Sequence, residues 1–114
     1  MGKTTQSTEK REGFCGGKGT AELLHWIAEE EKCPHLRKAA TLVLPCGATM
    51  GSHRHEGEAE LYLVWQGSGR YDDNGVSVAV GPGSVMICRS GQSHALENTG
   101  EVPLVIHEVI ITET

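Results

Sequence analysis

The chain has 114 residues and a formal net charge of −5 with neutral histidines, and it holds neither a basic run nor aromatics interleaved with cations, which excludes an electrostatic nucleic-acid interface. That length fits one domain burying about two-thirds of its unfolded surface, with Phe14, Trp26, Tyr62, Trp65 and Tyr71 as its only aromatic side chains. The polar opening from Met1 to Glu12 lacks the apolar core of a signal peptide and no apolar run exceeds strand length, so a soluble cytoplasmic chain without a membrane partner is expected.

Residues 1–12 are charged and show no periodicity, which predicts a mobile tail ahead of one domain over 13–114. The glycine-rich stretch Gly13 to Thr20 is not a phosphate-binding loop, because Gly19 follows Lys18 where Ser or Thr is required; it reads as an entry loop. Thr20 to Ile27 reads as a strand, and Ala28 to Pro34 as a charged excursion with room for one helical turn. Ala39 to Leu44 is rich in β-formers and runs into Pro45. Leu61 to Tyr71 and Val76 to Val80 form a hairpin across Asp73-Asn74-Gly75. Val85 to Cys88, His94 to Asn98 and Val102 to Ile111 complete an all-β chain of short strands. Cys15, Cys33, Cys46 and Cys88 form no Cys-x-x-Cys pair and read as reduced thiols, Cys88 being the one placed to approach a site.

The chemistry concentrates between Gly47 and Asn98. His53 and His55 are two apart, so on an extended strand their imidazoles share a face and can share a metal. Glu60 follows His55 by an odd number of residues, and Gly57 supplies the turn that returns its carboxylate to that face. His94 arrives from a distant segment, so the group needs a closed or nearly closed sheet with a concave interior.

Gly47, His53, His55, Glu60 and Gly67, followed by Gly83, Gly91, His94 and Asn98, resemble the paired motifs of the cupin superfamily, with Arg89 at the position of the second motif's proline. The resemblance covers roughly residues 40 to 100 and is closest to small bacterial single-domain members. It implies a double-stranded β-helix, a jelly-roll barrel, with a metal at its centre and dimeric assembly. The ligands it implies are His53, His55, Glu60 and His94.

Three neutral imidazoles and a carboxylate suit one divalent Fe, Mn, Ni, Co, Cu or Zn ion. An octahedral ion would keep two open positions and a tetrahedral zinc none. The site would retain a net positive charge, which favours a small anionic partner such as a carboxylate, enolate or sugar acid. Tyr62 shares the face of Glu60 and is the candidate to orient a ligand through its hydroxyl, while Leu96 walls the cavity beside His94. Arg89 reads as a solvated loop residue or an anion contact at the mouth, Glu56 and Glu58 as a solvated hairpin tip, and Trp65 as outer-face packing or a dimer contact. His25, His35 and His107 lie outside the motifs. Two functions follow: a metal-dependent enzyme of the dioxygenase, decarboxylase, isomerase or lyase type acting on a small anion, or a non-catalytic binding or sensing module in which the metal fixes the ligand.

Overall fold

A computed structural model describes residues 2–113. Ten strands follow in order: β1 (Ser7–Glu12), β2 (Thr20–His25), β3 (Leu36–Leu44), β4 (Thr49–Arg54), β5 (Glu58–Gln66), β6 (Gly69–Asp73), β7 (Val76–Val80), β8 (Val85–Cys88), β9 (Ser93–Asn98) and β10 (Leu104–Thr112). They make a six-stranded sheet in the order β1-β2-β3-β10-β5-β8 and a four-stranded sheet in the order β4-β9-β6-β7, with every pairing antiparallel. This is the all-β double-stranded β-helix that the motif resemblance implies.

Strict alternation on the long strands builds the interior. Ala40, Leu42 and Leu44 on β3, Leu104 and Ile106 on β10, and Tyr62 and Val64 on β5 are all buried and face Met50, Tyr71 and Leu96 from the other sheet. Between them on β5 stand Leu61, Leu63 and Trp65 on the outer face, with Trp65 64% exposed as its opposite parity predicts. The single helical turn allowed for the charged excursion is a 3-10 turn over Glu29–Glu31.

Two expectations need correction. Ser7–Glu12, read as mobile tail, pairs with β2 along its whole length, from Ser7↔His25 to Glu12↔Thr20. It is an edge strand whose side chains are nearly all exposed, so backbone pairing holds it and no apolar alternation marks it. Leu61 to Tyr71 is not one strand, because β5 ends at Gln66 and β6 begins at Gly69 in the other sheet. Gly67 makes the corner at φ 87, where a Cβ would lie 2.6 Å from the Pro103 carbonyl oxygen.

All four cysteines are free thiols, with Cys88 buried and the other three exposed. Among the described residues, no helix is long and apolar enough to cross a membrane.

Candidate metal centre

The site begins with an irregularity in β4. Pairing with β9 runs from Met50↔Leu96 to His53↔His94, an advance of three residues against two. The extra residue is a β-bulge at Gly51-Ser52, and bulges re-aim the side chains that follow them. It turns both Met50 and His53 inward although their spacing would set them on opposite faces of a regular strand. Beyond β4, Gly57 adopts φ 72 and redirects the chain into β5, which brings Glu60 in behind His55. His94 enters from β9, directly across from His53.

The side chains then converge. His94 Nε2 lies 3.0 Å from His55 Nε2 and 3.1 Å from His53 Nε2. Glu60 Oε1 is 3.1 Å from the Nε2 atoms of both His55 and His94. All four donor atoms fall within 4.8 Å of one another. Their outer nitrogens explain what they offer. His53 Nδ1 contacts the Gly51 carbonyl oxygen at 3.0 Å, and His55 Nδ1 contacts Glu58 Oε2 at 2.8 Å. Carbonyl and carboxylate oxygens only accept, so in each neutral ring Nδ1 carries the proton and Nε2 presents a bare lone pair to the cluster. His94 is anchored as well, with Nδ1 2.9 Å from the Tyr71 hydroxyl, a group able to accept its proton. Lone pairs directed at one another across 3 Å repel unless a cation or a shared proton lies between them. The donor set therefore fits a divalent metal, and the structure brings together the four residues that the motif spacing singles out.

Electrostatics support that reading. Burial alone would raise the Glu60 pKa, but its contacts with the His55 and His94 rings outweigh it and hold the carboxyl at about 2, so Glu60 offers an anionic oxygen. The Glu60 contact raises the His55 pKa against the effect of burial, and Glu58 adds to the rise. Burial lowers the pKa of His53.

Other candidates fall in different places. Tyr62 is fully buried and stacks on the His94 ring at 5.1 Å, and its hydroxyl donates to Met50 Sδ at 3.0 Å. Leu96 is buried beneath the site as expected. Arg89 pairs with Glu113 instead of reaching over the cluster. Its backbone N–H, which the family's proline would lack, donates to Gln92 Oε1 at 2.8 Å, and Ser90 N donates to Glu113 Oε2 at 2.8 Å. These bonds stiffen the loop into His94 in place of the proline ring. Cys88 is the cross-strand neighbour of Glu60, but burial pushes its thiol up to about 11, so it packs as a neutral group. Asn98 ties the end of β9 to the Leu44 and Val102 carbonyls, each at 2.9 Å. His35 and His107 bond to Thr112 and Thr41 away from the cluster.

Sequence reasoning missed four participants. Glu58 orients His55 and is no free hairpin tip; the signal lay in its position two residues before Glu60, on the same strand face. Tyr71 orients His94 from β6. Glu108, on the inner face of β10, is 1% exposed, and burial pushes its carboxyl up to about 7 against the pull of Lys38, with the Glu60 charge adding to the rise. Lys38 Nζ approaches Glu108 Oε1 to 2.7 Å and forms an ion pair with it.

The chain and its fold are similar to those of known proteins. The cupin domain family matches residues 40–110. An oxalate-binding protein of Thermotoga maritima is 40% identical over 103 residues, spanning 90% of this chain and 85% of its own length. A crystal structure described as a predicted oxalate decarboxylase from Thermotoga maritima superposes with a TM-score of 0.89 at 39% identity, over 93% of this chain and 92% of that one. KdgF from Halomonas sp. shares the fold with a TM-score of 0.67 at 19% identity, over 93% and 87% of the two chains. A barrel of two antiparallel sheets, three imidazoles and a carboxylate gathered at its centre, and a family match over most of the chain make this protein a member of the cupin family.

Proposed function

We propose that His53, His55, Glu60 and His94 hold one divalent transition metal with octahedral preference, and that its two remaining positions take a small dicarboxylate of the oxalate class. The observation that carries the reading is that four of the six donor pairs lie 3.0 to 3.1 Å apart, with all four donors within 4.8 Å of one another. With metal–ligand bonds of about 2.1 Å, neighbours at right angles lie about 3.0 Å apart, whereas a tetrahedral angle would separate them by about 3.4 Å. Manganese, iron, cobalt or nickel therefore suits the cluster better than a closed zinc site. The bound metal supplies a Lewis-acidic centre for carboxylate oxygens. The protein supplies orientation: Glu58, Tyr71 and the Gly51 carbonyl fix the three rings, and Tyr62 steadies His94 by stacking. The oxalate class enters from the Thermotoga maritima relative named for oxalate binding.

A second reading, metal-dependent turnover of the bound carboxylate, is favoured by the buried carboxyl of Glu108 beside Glu60. The experiment runs in two stages. Metal content of untagged protein by plasma mass spectrometry should show about one Mn, Fe, Co or Ni per chain. Calorimetric titration of that protein with oxalate should then show one site per chain that disappears after chelation. Stoichiometric zinc, or no heat from oxalate with the metal in place, would overturn the dicarboxylate reading. Formate appearing during incubation with oxalate would select turnover over binding.

We also propose that the outer face of β5 and β8 meets a second copy of the chain. Leu61 stands across from Ile87 and Leu63 from Val85, and all four are exposed together with Trp65 and Ile111. A contiguous apolar face of this kind marks an association site. Leu63→Asp should convert a dimer to a monomer in sedimentation velocity while leaving metal content unchanged; a wild-type monomer at micromolar concentration would refute the pairing.

A further inference from the structure

The inner row of β3 runs Ala40, Leu42, Leu44, each 0% exposed, and continues one position outward with Lys38. A lysine there loses side-chain entropy and charge hydration that an apolar residue does not have to give up. Its side chain is 22% exposed, with Nζ 2.7 Å from Glu108 Oε1 and 5.4 Å from the centre of the Phe14 ring.

Register places it against the metal cluster. Ile110 on β10 pairs with Lys38 on one side and Glu60 on the other, so the three residues form one cross-strand row. Neighbouring strands are about 4.8 Å apart, which puts the Lys38 and Glu60 backbones about 10 Å from each other, within reach of a lysine side chain and a ligand of two to four carbons. His53 and His94 enter from the four-stranded sheet and His55 from the segment just beyond β4. Across the interior from them lie β5 with Glu60 itself, then β10 with Glu108 and Ile110, then β3 with Lys38. Lys38 thus provides the cation on the wall that the imidazoles do not occupy.

From this placement we infer that Lys38 is the second anchor of the anionic ligand: one carboxylate sits at the metal, and the other pairs with the Lys38 ammonium. Glu108 does not exhaust that ammonium, because Nζ has three N–H donors to share between Glu108 at 2.7 Å and a ligand. Phe14 covers the charge from the outside and lowers the local dielectric, which strengthens an ion pair formed beneath it. Lys38 is therefore a specificity residue for dianions over monoanions. The inference rests on the dicarboxylate reading of the site.

The test titrates the Mn(II)-loaded full chain with oxalate, malonate and acetate by calorimetry. Lys38→Met should weaken the dicarboxylates about tenfold or more, as loss of a charge-assisted contact does, while acetate affinity and manganese content stay within about twofold. Glu108→Gln alone should keep dicarboxylate affinity close to wild type. If Lys38 served only to neutralise Glu108, the Lys38→Met/Glu108→Gln pair would bind dicarboxylates like Glu108→Gln, and the inference would fall. The double variant leaves no unpaired buried carboxylate, so it gives the answer even where Lys38→Met folds poorly. Unchanged dicarboxylate binding in Lys38→Met overturns the anchor and leaves the dicarboxylate reading standing. Wild type that binds neither dicarboxylate overturns both.

Discussion

Protein carrying both His53→Ala and His55→Ala is expected to purify without stoichiometric metal. Two of four donors vanish, and the remaining pair, His94 and Glu60, cannot hold a divalent ion against solvent and buffer. The same change removes the lone-pair crowding at His94 Nε2, whose contacts with His55 and His53 are 3.0 and 3.1 Å. The metal-free fold is therefore expected to survive, with its far-ultraviolet circular dichroism unchanged. Retention of one metal per chain would show that the ion sits elsewhere. A graded series separates holding from orienting: Tyr71→Phe and Glu58→Gln should keep the metal but weaken it by about 10- to 100-fold, the usual cost of losing a partner of a ligating histidine. Competition against a chromophoric chelator measures that range directly. Equal losses in the double-alanine and Tyr71→Phe proteins would sink the distinction between them.

Gly51→Ala is the second large effect, and it acts through sterics. A Cβ at Gly51 would overlap the Cys15 carbonyl oxygen, just as one at Gly17 would overlap the Thr49 carbonyl. The 3-10 turn over Phe14–Gly16 thus presses backbone to backbone on β4 beside the bulge. Neither chain has a flexible end to swing away, so the added methyl should cost about 1–3 kcal/mol of stability. Because the Gly51 carbonyl accepts the His53 Nδ1 proton, the same shift disturbs His53 and should weaken metal binding as well. Gly81→Ala is the control, since nothing lies within 4 Å of its Cβ position and its effect should stay within about 0.5 kcal/mol. Urea melts of the apo and metal-loaded forms decide the matter. A Gly51→Ala midpoint equal to that of wild type would show that the loop yields without cost.

Much of the site was legible in the chain because its decisive relations are local or motif-bound. The two-residue step from His53 to His55 shares a strand face by geometry alone, and Gly57 was required to turn Glu60 back toward them. The outward placement of Trp65 followed from its parity with Glu60 and Tyr62. Tyr62 itself was placed correctly on the inner face, but which atom its hydroxyl would meet depended on where Met50 lay. Met50 faces inward beside His53 only because of the bulge at Gly51-Ser52.

What the sequence determined by itself, then, is the all-β character, the members of the inward His and Glu cluster and the apolar rows of the barrel, because alternation and turn residues act within a few positions of the chain. The tertiary structure decided the rest. It made Ser7–Glu12 an edge strand, since pairing with β2 draws on backbone groups that every residue carries. It set Tyr71 behind His94 across 23 residues and brought Lys38 against Glu108. Those contacts depend on strand order and register, which local propensity does not encode. Burial then gave Glu108 and Lys38 the properties that make them worth testing, because the cost of an interior charge is a property of its surroundings and not of the residue.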